Sequence, residues 1–210
     1  MMDSSLFLFI TTSLLIILSP GQDMVLVLSR SIARGSKAGM VTASGVATGL
    51  LGHTLLAALG LGALLQASEL AFTIMKYVGA VYLLYLGVKL FKAPIIDLNN
   101  TENTDGSIRY FFFQGALSNI SNPKIAVFYF AYLPQFVSAD SSQSTQTLLA
   151  LGTTFALLTF LVKLPIGYLA GALSTWIKFR PAVQIWLNRS CSIVLVGMAL
   201  NLVFASQRRV

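Results

Sequence analysis

Residues 19–23 read SPGQD and interrupt an apolar run that begins near Leu6, and residues 121–124 read SNPK and interrupt a run that begins near Tyr110. Each proline lies about 13 or 14 residues into its run, which is close to the centre of a bilayer at about 1.5 Å of rise per residue. Because proline lacks a backbone N–H and clashes with the preceding turn, both helices are predicted to break there. Unpaired backbone inside a membrane is tolerated only against protein or a water-filled cavity. Matched breaks in the two halves of a chain indicate a transporter binding site.

The composition is that of a membrane protein. Of 210 residues, 56% are hydrophobic and only 10% are charged, whereas soluble domains carry about a quarter charged residues. The net charge of +7 does not indicate nucleic-acid binding, because the basic residues lie at segment ends rather than in one patch. A single cysteine, Cys191, and a single histidine, His53, argue against a disulfide, a metal centre or another cofactor site.

Six apolar stretches are long enough to cross a bilayer. They run at residues 6–28, 38–65, 70–91, 110–137, 148–177 and 185–205. The sequence therefore predicts an all-α membrane protein with a three-helix repeat at 1–92, a polar cytoplasmic linker at 93–109 and a second three-helix repeat at 110–210. Since each half holds an odd number of helices, the halves enter the membrane from opposite sides. The prediction is a 3+3 inverted repeat with interrupted helices 1 and 4.

Lysine and arginine are distributed unevenly over the two predicted sides of the membrane. The richer side contains Arg30, Arg34, Lys37, Lys89, Lys92, Arg109, Lys178, Arg180 and Arg189. The other side has Lys76 and the terminal pair Arg208 and Arg209. The positive-inside rule then makes the loops after helices 1, 3 and 5 cytoplasmic and places both termini outside. A five-span arrangement with a re-entrant first segment, which would put the N-terminus inside, stays open.

Small residues recur at the four-residue spacing that lets helix backbones approach closely. The pairs are Gly35 and Gly39, Gly45 and Gly49, and Gly167 and Gly171. We expect them to serve packing within one protomer; contact between subunits of a homo-oligomer is the alternative.

Motifs in both halves resemble the lysine exporter (LysE/RhtB) family of amino-acid efflux transporters. In the first half they are residues 19–24 (SPGQDM), 26–31 (LVLSRS), 35–39 (GSKAG), 45–49 (GVATG) with His53, 58–62 (ALGLG) and 76–87 (KYVGAVYLLYLG). In the second half they are residues 113–115 (FQG), 122–124 (NPK) and 132–136 (YLPQF). The resemblance covers nearly the whole chain and is most specific before about residue 136.

The resemblance implies export of amino acids or close derivatives across the bacterial cytoplasmic (inner) membrane, coupled to the proton gradient. The implied partners are an amino-acid substrate, protons and the lipid bilayer. The family usually has Pro-Gly-Pro followed by Asn or Asp, whereas this chain has Gln22 in place of the second proline. The break keeps Pro20 and Gly21 and is expected to survive, while its local geometry and the substrate preference stand in doubt.

An amino acid presents a carboxylate and an ammonium group, and the two breaks offer groups for both. The half-helices after Gly21 and Pro123 begin with free N–H groups that suit a carboxylate. Carbonyls freed on the other side of each break suit an ammonium or a coupling ion. The candidate substrate-binding residues are Pro20, Gly21, Gln22, Asp23, Asn119, Asn122, Pro123 and Lys124.

Asp23 is the only acidic residue inside an apolar segment. A charged side chain at that depth costs about 2.5–3.5 kcal/mol on insertion scales, which marks it as a functional candidate. It is predicted to hold the substrate ammonium or to carry the coupled proton. The structural alternative is that Asp23 caps the half-helix that follows.

The other polar residues at depth leave alternatives open. Lys124 can pair with Asp23, attract the substrate carboxylate or extend into a cavity. Lys163 is a proton-coupling candidate, with snorkelling or pairing with a carbonyl freed by Pro165 as the favoured explanation. His53 is a second such candidate, although a lone helical histidine is more often packed or hydrogen-bonded. Asn119 and Asn122 can satisfy backbone groups of the break or contact the substrate.

Three other functions compete with amino-acid export. An exporter of other small solutes or cations would use the same breaks, but few carboxylates and histidines disfavour a divalent-metal path. A membrane enzyme would need a cluster of catalytic groups, and a purely structural subunit would not need Asp23 at depth. Because only one intramembrane carboxylate is present to balance charge, we expect a neutral substrate of the threonine, homoserine or leucine type.

Overall fold

The computed structural model describes residues 2–61, 69–93, 106–137, 143–178 and 181–204. These residues form eight α-helices and no strands. The helices are α1 (Met2–Leu18), α2 (Gln22–Arg34), α3 (Ser36–Leu56), α4 (Glu69–Phe91), α5 (Ile108–Ile120), α6 (Pro123–Val127), α7 (Ser144–Lys178) and α8 (Pro181–Phe204). A π-helical turn, Ala57–Leu61, continues α3. The all-helical prediction is confirmed for the described residues. Most of the predicted linker, residues 94–105, and the Arg208–Arg209 pair lie outside them.

Six membrane-spanning helices were predicted, but fewer of the described helices are long and apolar enough to cross a membrane on their own. Three qualify among the described residues: Ser36–Gly60, Thr73–Phe91 and Ser144–Ala170. The pair Ser5–Leu18 and Gln22–Arg34, bent by 50° at the first break, makes a fourth if it is one span. The last apolar helix, Asn188–Phe204, is shorter. The six-span inverted repeat therefore stays a prediction.

The predicted fourth span, residues 110–137, consists of more than two helical pieces. After the break, α6 has only five residues, and a π-helical turn (Phe128–Tyr132) and a 3₁₀ turn (Leu133–Phe136) follow it. The expected half-helix beyond Pro123 is thus much shorter than predicted. Tertiary packing explains the irregular path, because Phe128, Tyr129 and Tyr132 are all fully or almost fully buried.

An aromatic cluster joins this irregular segment to α7. The rings of Phe128 and Phe155 stack with centroids 4.4 Å apart, and Tyr129 meets Phe155 edge to face at 5.7 Å. Phe9 of α1 and Phe136 form a further edge-to-face pair at 5.4 Å. Each such pair contributes about 0.5–1.5 kcal/mol beyond the area that it buries. The cluster therefore fixes the segment after the second break against α1 and α7.

Glycines bring α3 into backbone contact with α5 and α7. A Cβ atom on Gly49 would lie 2.7 Å from the carbonyl oxygen of Ala116, and one on Gly39 would lie 2.7 Å from that of Gly167. A Cβ atom on Gly45 would likewise meet the backbone carbonyl of Phe112. The prediction of close packing within the protomer is confirmed for these four glycines. Gly35, by contrast, has φ +86° and forms the turn between α2 and α3, a conformation that favours glycine.

The remaining long pair, α4 and α8, packs side by side at the edge of the molecule. The hydroxyl of Ser192 donates to the carbonyl of Gly87 at 2.6 Å. The opposite face of α4 leaves Val78 and Val81 more than half exposed. An exposed apolar face of this kind suits contact with lipid.

Replacing Gly49 with alanine is expected to lower the free energy of unfolding by about 1–3 kcal/mol, because the new methyl group would meet the backbone of α5. The matched control is Gly197→Ala in α8, where a Cβ would have no heavy atom within 4 Å. The measurement is unfolding of both purified variants in detergent micelles. Equal stability of the two variants would show that α3 and α5 do not pack as closely as described.

Candidate functional site

The first break separates α1 from α2. α1 ends at Leu18 and α2 begins at Gln22. In a continuous helix, the carbonyl of Ile16 would accept the N–H of residue 20, but Pro20 has none. The Ile16 carbonyl is therefore left without its usual donor. Gly21, in extended backbone, precedes α2, and no side chain caps the first turn of that helix.

The second break, between α5 and α6, repeats this defect. Pro123 deprives the carbonyl of Asn119 of its helical donor. Two other groups bind that carbonyl: the backbone N–H of Asn122 at 2.9 Å and Nε2 of His53 at 3.2 Å. Oδ1 of Asn122 accepts the backbone N–H of Lys124 at 3.1 Å. The expectation that Asn122 satisfies backbone groups of the break is thus confirmed.

The two breaks are in direct contact. Nζ of Lys124 lies 3.0 Å from the hydroxyl and 3.3 Å from the carbonyl oxygen of Ser19, and 3.4 Å from the carbonyl oxygen of Ile16. In the other direction, the side-chain amide of Gln22 donates to the carbonyl of Ser118 at 3.4 Å. Each break therefore receives hydrogen-bond donors from the half of the chain that contains the other.

The first break is present with Gln22 in place of the second proline, as expected. Gln22 is the first residue of α2, a position where proline is equally well tolerated because its N–H would have no helical partner. Proline and glutamine are therefore interchangeable for the backbone here. The glutamine adds the hydrogen bond to Ser118 that a proline could not make.

Asp23 lies at the centre of the contact between the breaks. Its side chain is buried, and its carboxylate accepts a hydrogen bond of 2.7 Å from Nδ2 of Asn119 and a long one of 3.5 Å from the hydroxyl of Ser118. Nζ of Lys163 lies 3.5 Å from Oδ2 of Asp23. The carboxylate therefore bridges α2 to α5 and α7, and its described partners do not include the N-terminal cap of α2.

The explanation favoured for Lys163 is wrong. Lys163 neither snorkels nor pairs with a carbonyl freed by Pro165: it is buried and forms the ion pair with Asp23. At low dielectric a carboxylate attracts an ammonium more strongly than a neutral carbonyl does. Pairing with Asp23 was one alternative for Lys124, but Lys124 has no ion pair within the part of the chain that the structure describes. Its three acceptors belong to the end of α1, which it reaches from α6.

His53 is packed and hydrogen-bonded, as a lone helical histidine usually is. Because a carbonyl can only accept, Nε2 is the atom that donates to Asn119. The ring stacks on Tyr129 with centroids 5.5 Å apart. The hydroxyl of Tyr129 donates to the carbonyl of Gly152 and lies 3.1 Å from that of Thr54. These contacts join α3, the π-helical turn Phe128–Tyr132 and α7 beside the second break.

Some buried polar atoms in α1, in α3 and at the second break have no hydrogen-bond partner among the described residues. They are the hydroxyl of Ser13, Nδ1 of His53, Oδ1 of Asn119 and Nδ2 of Asn122. Most buried polar atoms in proteins are paired, and exceptions are frequent at functional sites. Both donors and acceptors are available here, which suits a ligand that carries both. No group of three or more metal-ligating side chains occurs in the described ranges.

The sequence alone did not single out three serines at the site, namely Ser13, Ser19 and Ser118. Ser19 directly precedes Pro20, and Ser118 directly precedes Asn119, so adjacency to the breaks was the available signal. Ser13 carries no such signal. It lies within α1, nearly two helical turns before the break.

Comparison with known proteins agrees with this architecture. The family model described as "LysE type translocator" matches residues 14–206. The chain belongs to this family. The resemblance inferred from the two proline motifs is thereby confirmed. As a LysE type translocator, the protein is a transporter of small molecules, and its apolar helices agree with a place in a membrane.

Several curated proteins are similar to this LysE type translocator over nearly their whole length. A homoserine/homoserine lactone efflux protein of Salmonella typhimurium is 36% identical and covers 92% of this chain and 94% of its own. A leucine efflux protein of Enterobacter sp. is 27% identical and covers 92% of each. The uncharacterized membrane protein YrhP of Bacillus subtilis is 34% identical over 94% of this chain and 97% of its own. No solved structure matches.

Asp23→Asn is expected to lower the free energy of unfolding by about 3–5 kcal/mol, because it leaves the Lys163 ammonium buried without a counter-ion. The double variant Asp23→Asn/Lys163→Met is expected to recover most of that loss. Denaturant unfolding in detergent micelles measures both, and Lys89→Met on the exposed face of α4 is the matched control. A double variant no more stable than Asp23→Asn would show that the two residues are not coupled.

Proposed function

We propose that this translocator is a secondary exporter that moves neutral amino acids or close derivatives out of the cytoplasm by proton antiport. One observation carries the proposal: the two proline breaks meet around the buried pair of Asp23 and Lys163. Broken helices that meet at depth provide both free donors and free acceptors, which a zwitterion needs. No nucleotide-hydrolysing motif occurs in the sequence, so an ion gradient is the available energy source.

The names of the relatives narrow the substrate class. Homoserine and leucine are neutral amino acids with an α-ammonium and a carboxylate, whereas homoserine lactone keeps the ammonium but has no free carboxylate. The chemical group common to all three is a primary ammonium. We therefore propose that the site recognises this group first. A basic substrate is disfavoured, because the one carboxylate at the breaks, Asp23, already has Lys163 as its counter-ion.

Asp23 is the proposed proton carrier. A proton on its carboxylate would remove the ion pair to Lys163, and with it one of the contacts between α2 and α7. Protonation would thus free the first break to move relative to α7. His53 remains a second candidate because it links the Asn119 carbonyl to Tyr129.

The candidate substrate-binding residues would act in three ways: through polar side chains, through exposed backbone, or by joining the two breaks. Asp23, Asn119 and Lys124 bear charged or polar groups that point into the contact between the breaks, and Asn119 and Asn122 also carry unpartnered polar atoms there. Pro20, Gly21 and Pro123 act through the backbone that they expose. Gln22 joins the breaks and is proposed to tune substrate preference.

The packing of the helices supports the inverted repeat. If α1 with α2 corresponds to α5 with α6, then α3 corresponds to α7 and α4 to α8. Contacts occur between α3 and α7 and between α4 and α8, and α1 packs on α7 as α5 packs on α3. A pseudo-two-fold axis in the membrane plane would produce these pairs. On this basis we propose six spans in the bacterial inner membrane with both termini outside; a homo-oligomer stays an open alternative.

The test is efflux of a labelled amino-acid panel from loaded vesicles that contain the purified protein, with and without a proton gradient. Native protein is expected to export one or a few neutral amino acids only with the gradient. Asp23→Asn is expected to abolish gradient-driven efflux, while Gly197→Ala, the control, retains it. Robust gradient-driven efflux in Asp23→Asn would return Asp23 to a structural role. No amino-acid efflux by folded native protein would favour an exporter of another small solute.

A further inference from the structure

Lys124 is a charged residue of the site whose partners among the described residues are all neutral. Its ammonium contacts the Ser19 hydroxyl and the carbonyl oxygens of Ser19 and Ile16, at 3.0, 3.3 and 3.4 Å. The carboxylate of Asp23 instead accepts hydrogen bonds from Asn119 and Ser118 and pairs with Lys163. The side chain of Lys124 is partly exposed, so other molecules can compete for its place.

The three oxygen atoms form a site for a primary ammonium. Pro20 frees the Ile16 carbonyl, and the C-terminal end of α1, where these oxygens lie, carries the negative end of the helix dipole. An –NH₃⁺ group has three N–H donors and no acceptor. Three acceptors therefore match the three N–H donors of an ammonium, and the negative end of the helix dipole favours its positive charge. Nothing in this arrangement is specific to the ammonium of a lysine side chain.

We propose that these oxygens are the ammonium subsite of the transporter and that Lys124 fills it when substrate does not. The α-ammonium of a neutral amino acid would displace the Lys124 ammonium from Ile16 and Ser19, and the lysine would return when substrate leaves. The inference rests on the proposed export of amino acids. It assigns Lys124 as an internal competitor of the substrate, not as an attractor of its carboxylate.

This exchange keeps the carbonyl oxygens of the subsite paired during transport. A membrane-embedded carbonyl without a donor costs several kcal/mol, and the exchange always provides one. The subsite also holds one positive charge in both the empty and the loaded state. Lys124 is therefore needed chiefly for the step in which the empty transporter reorients.

Gly21 provides a matched variant for the test. A Cβ atom at this position would lie 3.0 Å from Nζ and 3.6 Å from Cε of Lys124. The backbone of Gly21 is extended, with φ −171°, so alanine fits there without backbone strain. Gly21→Ala therefore crowds the position of the ammonium, whichever molecule supplies it, and leaves the charge of Lys124 in place.

Lys124→Met and Gly21→Ala are expected to change substrate affinity in opposite directions. The measurement is substrate-for-substrate exchange in vesicles with an amino acid that the native protein exports. Removing the competitor in Lys124→Met lowers the half-saturating concentration by about tenfold if lysine fills the empty site nine-tenths of the time, while net efflux slows. Gly21→Ala weakens the binding of both ammonium groups, so the losses partly cancel and the half-saturating concentration rises by only about twofold. A rise in both variants would overturn the proposal, because it would make Lys124 an attractive contact.

A second experiment does not depend on transport. Lys124→Ala leaves room at the subsite, and ethylammonium chloride supplies a free primary ammonium. We expect ethylammonium to raise the melting temperature of Lys124→Ala in detergent and to raise that of the native protein much less, because Lys124 competes for the subsite. Tetramethylammonium, which has no N–H donor, is the control and is expected to do nothing. Equal effects of the two salts on the variant, or no effect of either, would overturn the proposal.

The two experiments separate the inference from the function on which it rests. If the native protein exports none of the panel but ethylammonium specifically stabilises Lys124→Ala, the ammonium subsite stands and amino-acid export fails. If the native protein exports amino acids but neither the opposite shifts nor the rescue is observed, export stands and the exchange of Lys124 fails.

Discussion

A proline at the centre of a membrane helix removes the N–H that the carbonyl four residues earlier would accept. Here the affected carbonyls are those of Ile16 and Asn119, and the rest of the site depends on how they are paired. Water is scarce at that depth, so each needs a donor from the protein. Lys124 of the second half reaches Ile16, and His53 of the first half reaches Asn119. This reciprocal pairing is what holds the two broken segments together.

Asn119 connects the broken backbone to the buried charges. Its carbonyl binds His53, while its side-chain amide binds Asp23, which in turn pairs with Lys163. A change in the charge of Asp23 therefore acts on the second break through one residue and on α7 through another. The proposed coupling between a proton and a substrate would act through this connection, which consists of side chains from α2, α3, α5 and α7.

Small residues make that connection geometrically attainable. Gly45 and Gly49 let the backbone of α3 approach α5, and a Cβ on Gly49 would lie 3.0 Å from Cβ of Asn119. His53 lies one helical turn beyond Gly49 on the same face of α3. Larger residues would move α3 outward and carry His53 away from the Asn119 carbonyl. The packing glycines and the chemistry of the second break are thus parts of one arrangement.

The sequence by itself determined the positions of the breaks, the membrane composition, the family and most of the candidate residues. These follow from local rules: proline lacks an N–H wherever it lies, and a carboxylate such as Asp23 within an apolar run is costly in any fold. Only the tertiary structure decided which buried side chains pair with each other. Lys163 rather than Lys124 became the partner of Asp23, and α6 ended after five residues because its aromatic neighbours are buried. Asp23 and Lys163 are 140 positions apart in the sequence, and the distance between them depends on how whole helices pack, which no local pattern encodes.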